Sequence, residues 1–164
     1  MKTYKLLNNK TSVPSDINAY KNRSKFDVSL LNIIDTSVVY EEYDRNYNIL
    51  KRTDSHKENS IYAVCRFYSN GCMNKFFIDR KTVLTPNEFD PLYAGKRGIY
   101  YKENNKIRFD LFAEIDQQRH IGRLTGALTF NGDTLYIKRD DLSYREIFIK
   151  RKLPPEYFQY RANW

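Results

Sequence analysis

The chain has 164 residues, of which 41% are hydrophobic and 15% aromatic, and its formal net charge is +8. This hydrophobic content excludes an intrinsically disordered protein, and no apolar run approaches the roughly 18 residues that a membrane-spanning helix needs. The 28 basic residues are interleaved with 20 acidic ones. The charge therefore indicates a mixed, solvated surface more than a face dedicated to nucleic acid.

Residues 1–25 form a polar segment rich in Asn, Ser and Lys, without a hydrophobic period. This composition predicts a flexible lead or tether, followed by one domain over residues 26–164. Residues 28–34 hold Val28, Leu30, Leu31, Ile33 and Ile34. Such a cluster predicts a short helical turn before the first strand, capping an open end of the domain.

From residue 37 onward the apolar residues recur with a period of two, which predicts antiparallel strands. A first hairpin is expected over residues 37–44 and 47–52, and a second over residues 61–68 and 72–79, turning at Asn70-Gly71. Residues 80–97 contain two prolines and a glycine that break the period. This segment is therefore expected to be an irregular lid or edge cover.

The second half of the chain continues as a meander, with turns predicted at Asn104-Asn105 and at Asn131-Gly132, the latter of type I′. Eight or nine short strands with one apolar face favour closure, because closure removes exposed edges. We therefore predict an all-β domain, a single antiparallel meander forming a closed or nearly closed barrel. The predicted core of this half comprises Ile107, Phe109, Leu111, Ile115, Leu128, Phe130, Leu135 and Ile137.

Residues 98–150 carry a resemblance to a known family. Gly98-Ile99-Tyr100-Tyr101, Gly122-Arg123-Leu124-Thr125-Gly126 and Asn131-Gly132-Asp133-Thr134-Leu135 are spaced as in the closing meander of lipocalin-like barrel lipoproteins from Gram-negative envelopes. The Gly-x-Trp pattern that lipocalins carry near the first strand is absent, and the only tryptophan is Trp164. The resemblance implies a lipocalin-like barrel at the periplasmic face of the envelope, with the polar lead as its tether, if Met1 replaces a processed signal peptide. Without such processing the chain reads as cytoplasmic.

The residues with catalytic or metal-binding chemistry are few. His56 lies in a polar loop and His120 lies beside Arg119 and Arg123, so both are interpreted as solvated. Cys65 and Cys72 flank the Asn70-Gly71 turn, where a two-residue turn keeps them from facing one another and a bulged turn leaves a disulfide open. The sequence contains no phosphate-binding loop, nucleophile elbow or metal-ligand pattern. We expect no enzyme activity, no metal and no cofactor.

A candidate surface for a ligand or partner combines aromatic and basic side chains on the predicted strands. Stacking on Tyr and Arg suits many ligands, although cross-strand aromatic pairs that only stabilise a sheet use the same residue types. The candidate residues are Tyr100, Tyr101, Arg108, Arg123, Tyr136 and Lys138.

Three functions are consistent with this sequence. The first is a non-enzymatic envelope lipoprotein whose barrel binds a protein partner, with an acidic surface as one option, or a small apolar ligand. The second is an immunity or inhibitor protein that neutralises a secreted toxin, and the third is a basic nucleic-acid-binding barrel. Nucleic acid is not the expected partner, and a membrane is expected only through a lipid anchor outside this sequence. A hollow interior would favour a ligand, and a packed interior beside an exposed aromatic patch would favour a protein.

Overall fold

A closed antiparallel barrel dominates the computed structural model, which describes residues 1–54 and 58–164. Sequential strands pair as a meander, and β11 pairs back to β3 and closes the barrel of eight strands, while the short β4 extends the end of β3. The predicted all-β meander is therefore confirmed. The strands are β3 (Val39–Asp44), β4 (Ile49–Leu50), β5 (Ile61–Phe67), β6 (Cys72–Asp79), β7 (Lys96–Glu103), β8 (Lys106–Glu114), β9 (Ile121–Asn131), β10 (Thr134–Arg139) and β11 (Glu146–Arg151).

The remaining elements are short. The strands β1 (Thr3–Lys5) and β2 (Ser12–Pro14) form a separate hairpin. Within the described ranges, no helix has the length and apolar character that a membrane span requires. The helices of the described residues are all of the 3₁₀ type and comprise Ile17–Lys25, Val28–Asn32, Lys51–Thr53, Pro86–Phe89 and Pro155–Phe158.

Three hairpin turns show how local chemistry sets the strand register. Asn104 and Asn105 both have positive φ, +50° and +58°, as a type I′ turn requires. At the next turn only Gly132 has positive φ, so the signs are those of a type II′ turn and the predicted type I′ is wrong. The loop before β6 holds three residues, because the amide of Tyr68 donates to the carbonyl of Cys72 at 2.9 Å and Gly71 adopts φ +84°.

This longer loop decides the state of the cysteines. Cys65 pairs with Lys75 across the ladder and faces the barrel interior, whereas Cys72 lies in an apolar cluster on the outer face. Both thiols are free and buried, and burial raises the pKa of Cys65 to about 12. The two sulfur atoms therefore point to opposite sides of the sheet and form no disulfide.

The barrel interior is packed at one end, which we call the closed end. Leu30 and Ile34 are buried there against Phe67 and Tyr100, so the predicted helical turn does cap the barrel. Five residues of the predicted core are fully buried, and Ile107 and Phe130 are partly buried against them. Ile115 is 56% exposed, because β8 ends at Glu114 and this side chain lies on the opposite rim.

The first 25 residues pack onto the outside of the barrel, which differs from the expectation of a flexible lead. Val13 is fully buried, and the ring of Tyr20 lies 4.8 Å from Phe112 and 6.4 Å from Trp164 between ring centroids. The side chain of Asn22 donates to the buried Asp110 at 2.9 Å. Isolated apolar residues without a period can dock in this way because the closed barrel gathers an apolar outer patch from several strands.

Candidate functional site

The open end of the barrel contains a cavity of about 130 Å³, which we call the mouth cavity. It lies above the packed core, between inward-facing side chains of strands β6 to β11. Both apolar and charged groups line it: Met73, Lys75, Phe77, Lys96, Phe109, Leu111, Ala113, Leu124, Ile137, Arg139 and Glu146.

The cavity exists because two neighbouring strands separate near the rim. Strands β6 and β7 are paired only from Cys72–Ile99 to Lys75–Lys96. Beyond that point β6 continues to Asp79 alongside β5, while β7 begins only at Lys96. The wall therefore has a gap flanked by Phe77 and Lys96, which gives access to the interior.

Positive charge predominates among the groups that line the mouth cavity. Lys75 and Glu146 form an ion pair with 2.7 Å between Nζ and Oε1, which neutralises one cation. Arg139 pairs with Asp141, an exposed residue outside the cavity. With Lys96 added, three cations face one internal carboxylate.

Lys96 is the cation whose charge is least compensated. Its Nζ lies 4.8 Å from the ring centroid of Phe77, and it forms no ion pair with any residue in the described part of the chain. Burial is the largest cause that lowers the pKa of this amine below its ordinary value, and repulsion from Lys75 is the second. Glu114 and Glu146 oppose the shift only in part. A bound anion would relieve both effects, so this amine is the natural anchor for one.

The rim beside the cavity is apolar. Phe77 and Ile115 are both exposed at the open end. A neighbouring groove of about 350 Å³ shares Phe77, Lys96 and Ala113 with the mouth cavity and runs toward the loop of the β1–β2 hairpin. A ligand could therefore place an anionic group beside Lys96 and an apolar group on the rim.

A larger groove of about 670 Å³, which we call the outer groove, lies at the same end and shares Glu146 with the mouth cavity. It runs between the β3–β4 and β10–β11 connections, and Tyr144 in it is 61% exposed. Its walls are mostly charged and open to solvent, with Arg45 and Arg145 among them. Openness of this kind suits a protein surface better than a small molecule.

The structure distributes the six predicted site residues over both faces of the sheet. Tyr100 is the clearest correction: its side chain is buried inside the barrel, and its hydroxyl donates to the carbonyl of Tyr68 at 2.6 Å. It therefore cannot belong to a surface. Because strand side chains alternate between faces, Tyr101 instead points outward.

The outward-facing residues do lie near one another, but they serve mainly structural contacts. Tyr101, Arg108 and Lys138 follow one row across β7 to β10. Tyr101 is buried and donates to Asp110 at 3.0 Å, and burial together with that carboxylate raises its pKa to about 12. The other contacts are Arg108 with Asp140, Arg123 with Asp110, Arg145 stacked on Tyr136, and Lys138 with the carbonyl of Leu142.

Sequence reasoning missed the charged residues of the mouth cavity. Lys75 shares its strand face with Met73 and Phe77, and Arg139 shares its face with Leu135 and Ile137. The pattern that could have revealed them is a charged residue at a strand position whose neighbours two residues away are apolar. Such positions normally face a core.

The described residues bring together no group of three side chains suited to binding a metal ion. His120 is exposed, with its Nδ1 2.7 Å from Oδ2 of Asp116, and this contact lowers the pKa of Asp116. His56 lies outside the described residues. His120 is not among the residues that line the mouth cavity.

Comparison of the chain with protein-family models, curated proteins and solved structures finds no significant match.

Proposed function

We propose that this barrel binds a small amphipathic carboxylate at its mouth. The observation that carries the proposal is the half-buried Lys96, which lies in a cavity of apolar and charged side chains beside a second lysine and forms no ion pair among the described residues. Glu114 and Glu146 act on this amine only from beyond ion-pair distance. An unpaired charge in such surroundings is costly, and an anion from solution is the simplest compensation.

The size of the cavity limits the ligand. Sites for drug-sized molecules measure about 300–1,000 Å³, whereas the mouth cavity has about 130 Å³. It therefore suits a carboxylate with a few methylene groups, while the remaining chain would lie along Phe77 in the neighbouring groove. The packed interior below leaves no room for a deeply inserted ligand.

Calorimetric titration with octanoate tests the proposal. Lys96→Met keeps the length of the side chain and removes its charge, so we expect octanoate affinity to fall about tenfold or more. Lys106→Met, at an exposed lysine on β8, is the matched control and should bind as the unaltered protein does. Octanol should bind more weakly than octanoate. Equal affinity of the Lys96→Met variant, or no binding to the unaltered protein, would contradict the proposal.

A second candidate function is binding of a protein partner through the outer groove of the open end. The supporting observation is the combination of exposed Tyr144 with Arg45 and Arg145, because Tyr and Arg are enriched at interaction hot spots. A photo-crosslinking residue at position 144 should capture one defined partner in cells. The same residue at exposed Val83 should not capture it, and equal labelling at both positions would contradict this candidate.

The envelope location, the lipid anchor, the toxin-neutralising role and nucleic-acid binding stay predictions from the sequence. The resemblance to lipocalin-like lipoproteins has the same status.

A further inference from the structure

Three polar residues form a row on the outer face of the barrel, which we call the arginine row. Arg66 pairs with Asn74 across β5 and β6, and Asn74 pairs with Arg97 across β6 and β7. Directly paired residues point to the same face of a sheet. By two strand spacings, the α-carbons of the two arginines are about 10 Å apart, with Asn74 between them.

The whole row is buried. Arg66 is 4% exposed, Asn74 is 0% exposed and Arg97 is 6% exposed. Two apolar clusters flank the row, and the C-terminal segment, residues 155–164, covers it. Burial of two guanidinium groups so close together is expensive unless an anion offsets their charge.

The contacts that hold the two guanidinium groups are neutral. Arg66 donates from Nη2 to the carbonyls of Phe158 and Tyr160, at 2.8 and 2.9 Å. Arg97 donates to the hydroxyl of Tyr4 at 2.6 Å and to the carbonyl of Pro91 at 3.1 Å. Aromatic rings complete the surroundings, with Arg66 over Tyr68 at 4.5 Å and Arg97 over Trp164 at 4.8 Å. In the described part of the chain, no carboxylate forms an ion pair with either arginine.

Several donors of this region have no hydrogen-bond partner among the described protein atoms. They are Nε of Arg66, Nε of Arg97 and Nδ2 of Asn74, with Oδ1 of Asn74 and the hydroxyls of Tyr20 and Tyr68, which can also accept. The charges of both arginines act on the Tyr68 hydroxyl, and so does the carboxylate of Asp90, which forms no ion pair with either arginine. The two buried guanidinium groups therefore keep unpartnered N–H donors and have no carboxylate ion pair among the described residues, which favours a bound anion.

We infer that the arginine row binds a small inorganic anion of the size of chloride. A water molecule would bring donors of its own and no charge, whereas a halide accepts from Arg66, Asn74 and Arg97 and offsets part of their charge. The site is on the outer face of β5 to β7, so it is separate from the mouth cavity and does not depend on the proposed carboxylate ligand.

Thermal unfolding tests the inference, with sodium gluconate replaced stepwise by sodium chloride at constant ionic strength. Binding to the folded state alone stabilises it, so the melting temperature should rise by roughly 3 °C or more as chloride increases. Asn74→Leu removes a donor and fills the space with an apolar side chain, and it should abolish most of this rise. Arg108→Gln, at an outward arginine paired with Asp140, is the control that should keep it.

Three outcomes of these melts would overturn the inference. They are a melting temperature that does not respond to chloride in the unaltered protein, a response that persists in Asn74→Leu, and loss of the response in Lys96→Met, which would place the anion in the mouth cavity. Because Asn74→Leu could fail to fold, crystals of the unaltered protein soaked in bromide give a second measurement. An anomalous peak between Arg66 and Arg97 supports the inference, and its absence there contradicts it.

Discussion

At the scale of single residues, Lys96 combines a cost in stability with the proposed role in anion binding. Its pKa is lowered in the folded protein, so the unfolded chain holds this proton more tightly. By proton linkage, the charged amine lowers the free energy of unfolding by the full amount below the folded pKa. This loss of stability is relieved as the pH rises toward the ordinary value of 10.5.

We therefore predict that Lys96→Met raises the melting temperature at pH 7 by about 2 °C, while it weakens octanoate binding. The gain should shrink as the pH approaches 10.5, because the unaltered lysine then loses its charge. Calorimetric melts across this pH range measure the effect, with Lys106→Met as a control that should show no gain. A lower melting temperature of Lys96→Met at pH 7 would contradict the prediction.

Substitutions of Gly132 measure how much one backbone conformation contributes to the free energy of unfolding. Its φ is +56°, and a Cβ placed there would meet no atom within 4 Å, so only the backbone conformation resists substitution. We expect Gly132→Val to lower the free energy of unfolding by about 1–2 kcal/mol. Gly132→Ala should cost nearly as much as Gly132→Val, since any Cβ is strained at the first central position of a type II′ turn. Urea unfolding of both variants measures the two losses, and a negligible loss for Gly132→Ala would refute the backbone explanation.

At the scale of elements, the 3₁₀ helix Val28–Asn32 closes one end of the barrel with only part of its apolar surface. Leu30 and the following Ile34 are buried in the interior cluster, whereas Val28 and Ile33 are exposed. A turn this short presents one narrow face to the core, so alternate apolar residues remain in solvent.

We predict that Leu30→Ala and Ile34→Ala each lower the free energy of unfolding by about 2–5 kcal/mol, because each leaves a cavity in a packed interior. Val28→Ala should stay within about 0.5 kcal/mol. Chemical denaturation of the three variants provides the comparison. A loss for Val28→Ala equal to that for Leu30→Ala would show that the helix packs differently from the structure.

At the scale of the whole molecule, the barrel depends on the segments wrapped around it. Residues 1–25 and the C-terminal segment together cover an outer cluster that includes Tyr101, Phe112 and Trp164. The side chain of Asn22 also satisfies the buried Asp110. An outer wall with large apolar side chains needs such a cover to stay out of water.

Deletion of residues 1–25 is therefore predicted to lower the melting temperature strongly and to favour aggregation, in contrast to the tether that composition alone suggested. Tyr20→Ala should cost about 3–5 kcal/mol within the full chain, and Ile17→Ala, at an exposed position of the same helix, should cost little. Melts of the truncated protein and of both variants test this. An unchanged melting temperature after the deletion would support the interpretation of residues 1–25 as a flexible tether.

Local chemistry in the sequence was sufficient for the strands, the meander and the capping turn. Alternation along each strand depends only on the direction of successive side chains, and the Asn104-Asn105 turn depends only on the φ that Asn tolerates. The same alternation placed Phe109 and Leu135 inside the barrel. These features need no knowledge of what lies across the fold.

Only the tertiary structure decided where the functional groups meet. Lys75, Lys96, Arg139 and Glu146 come from four strands, and closure of the barrel brings them into one cavity. Likewise the pairing of β5, β6 and β7 places Arg66 beside Asn74 and Arg97. The exposure of Ile115 and the burial of Val13 and Tyr20 in the lead have the same origin. Burial at a rim or on an outer wall depends on how far neighbouring strands extend and on which segments cover them, and these are contacts between residues distant in sequence.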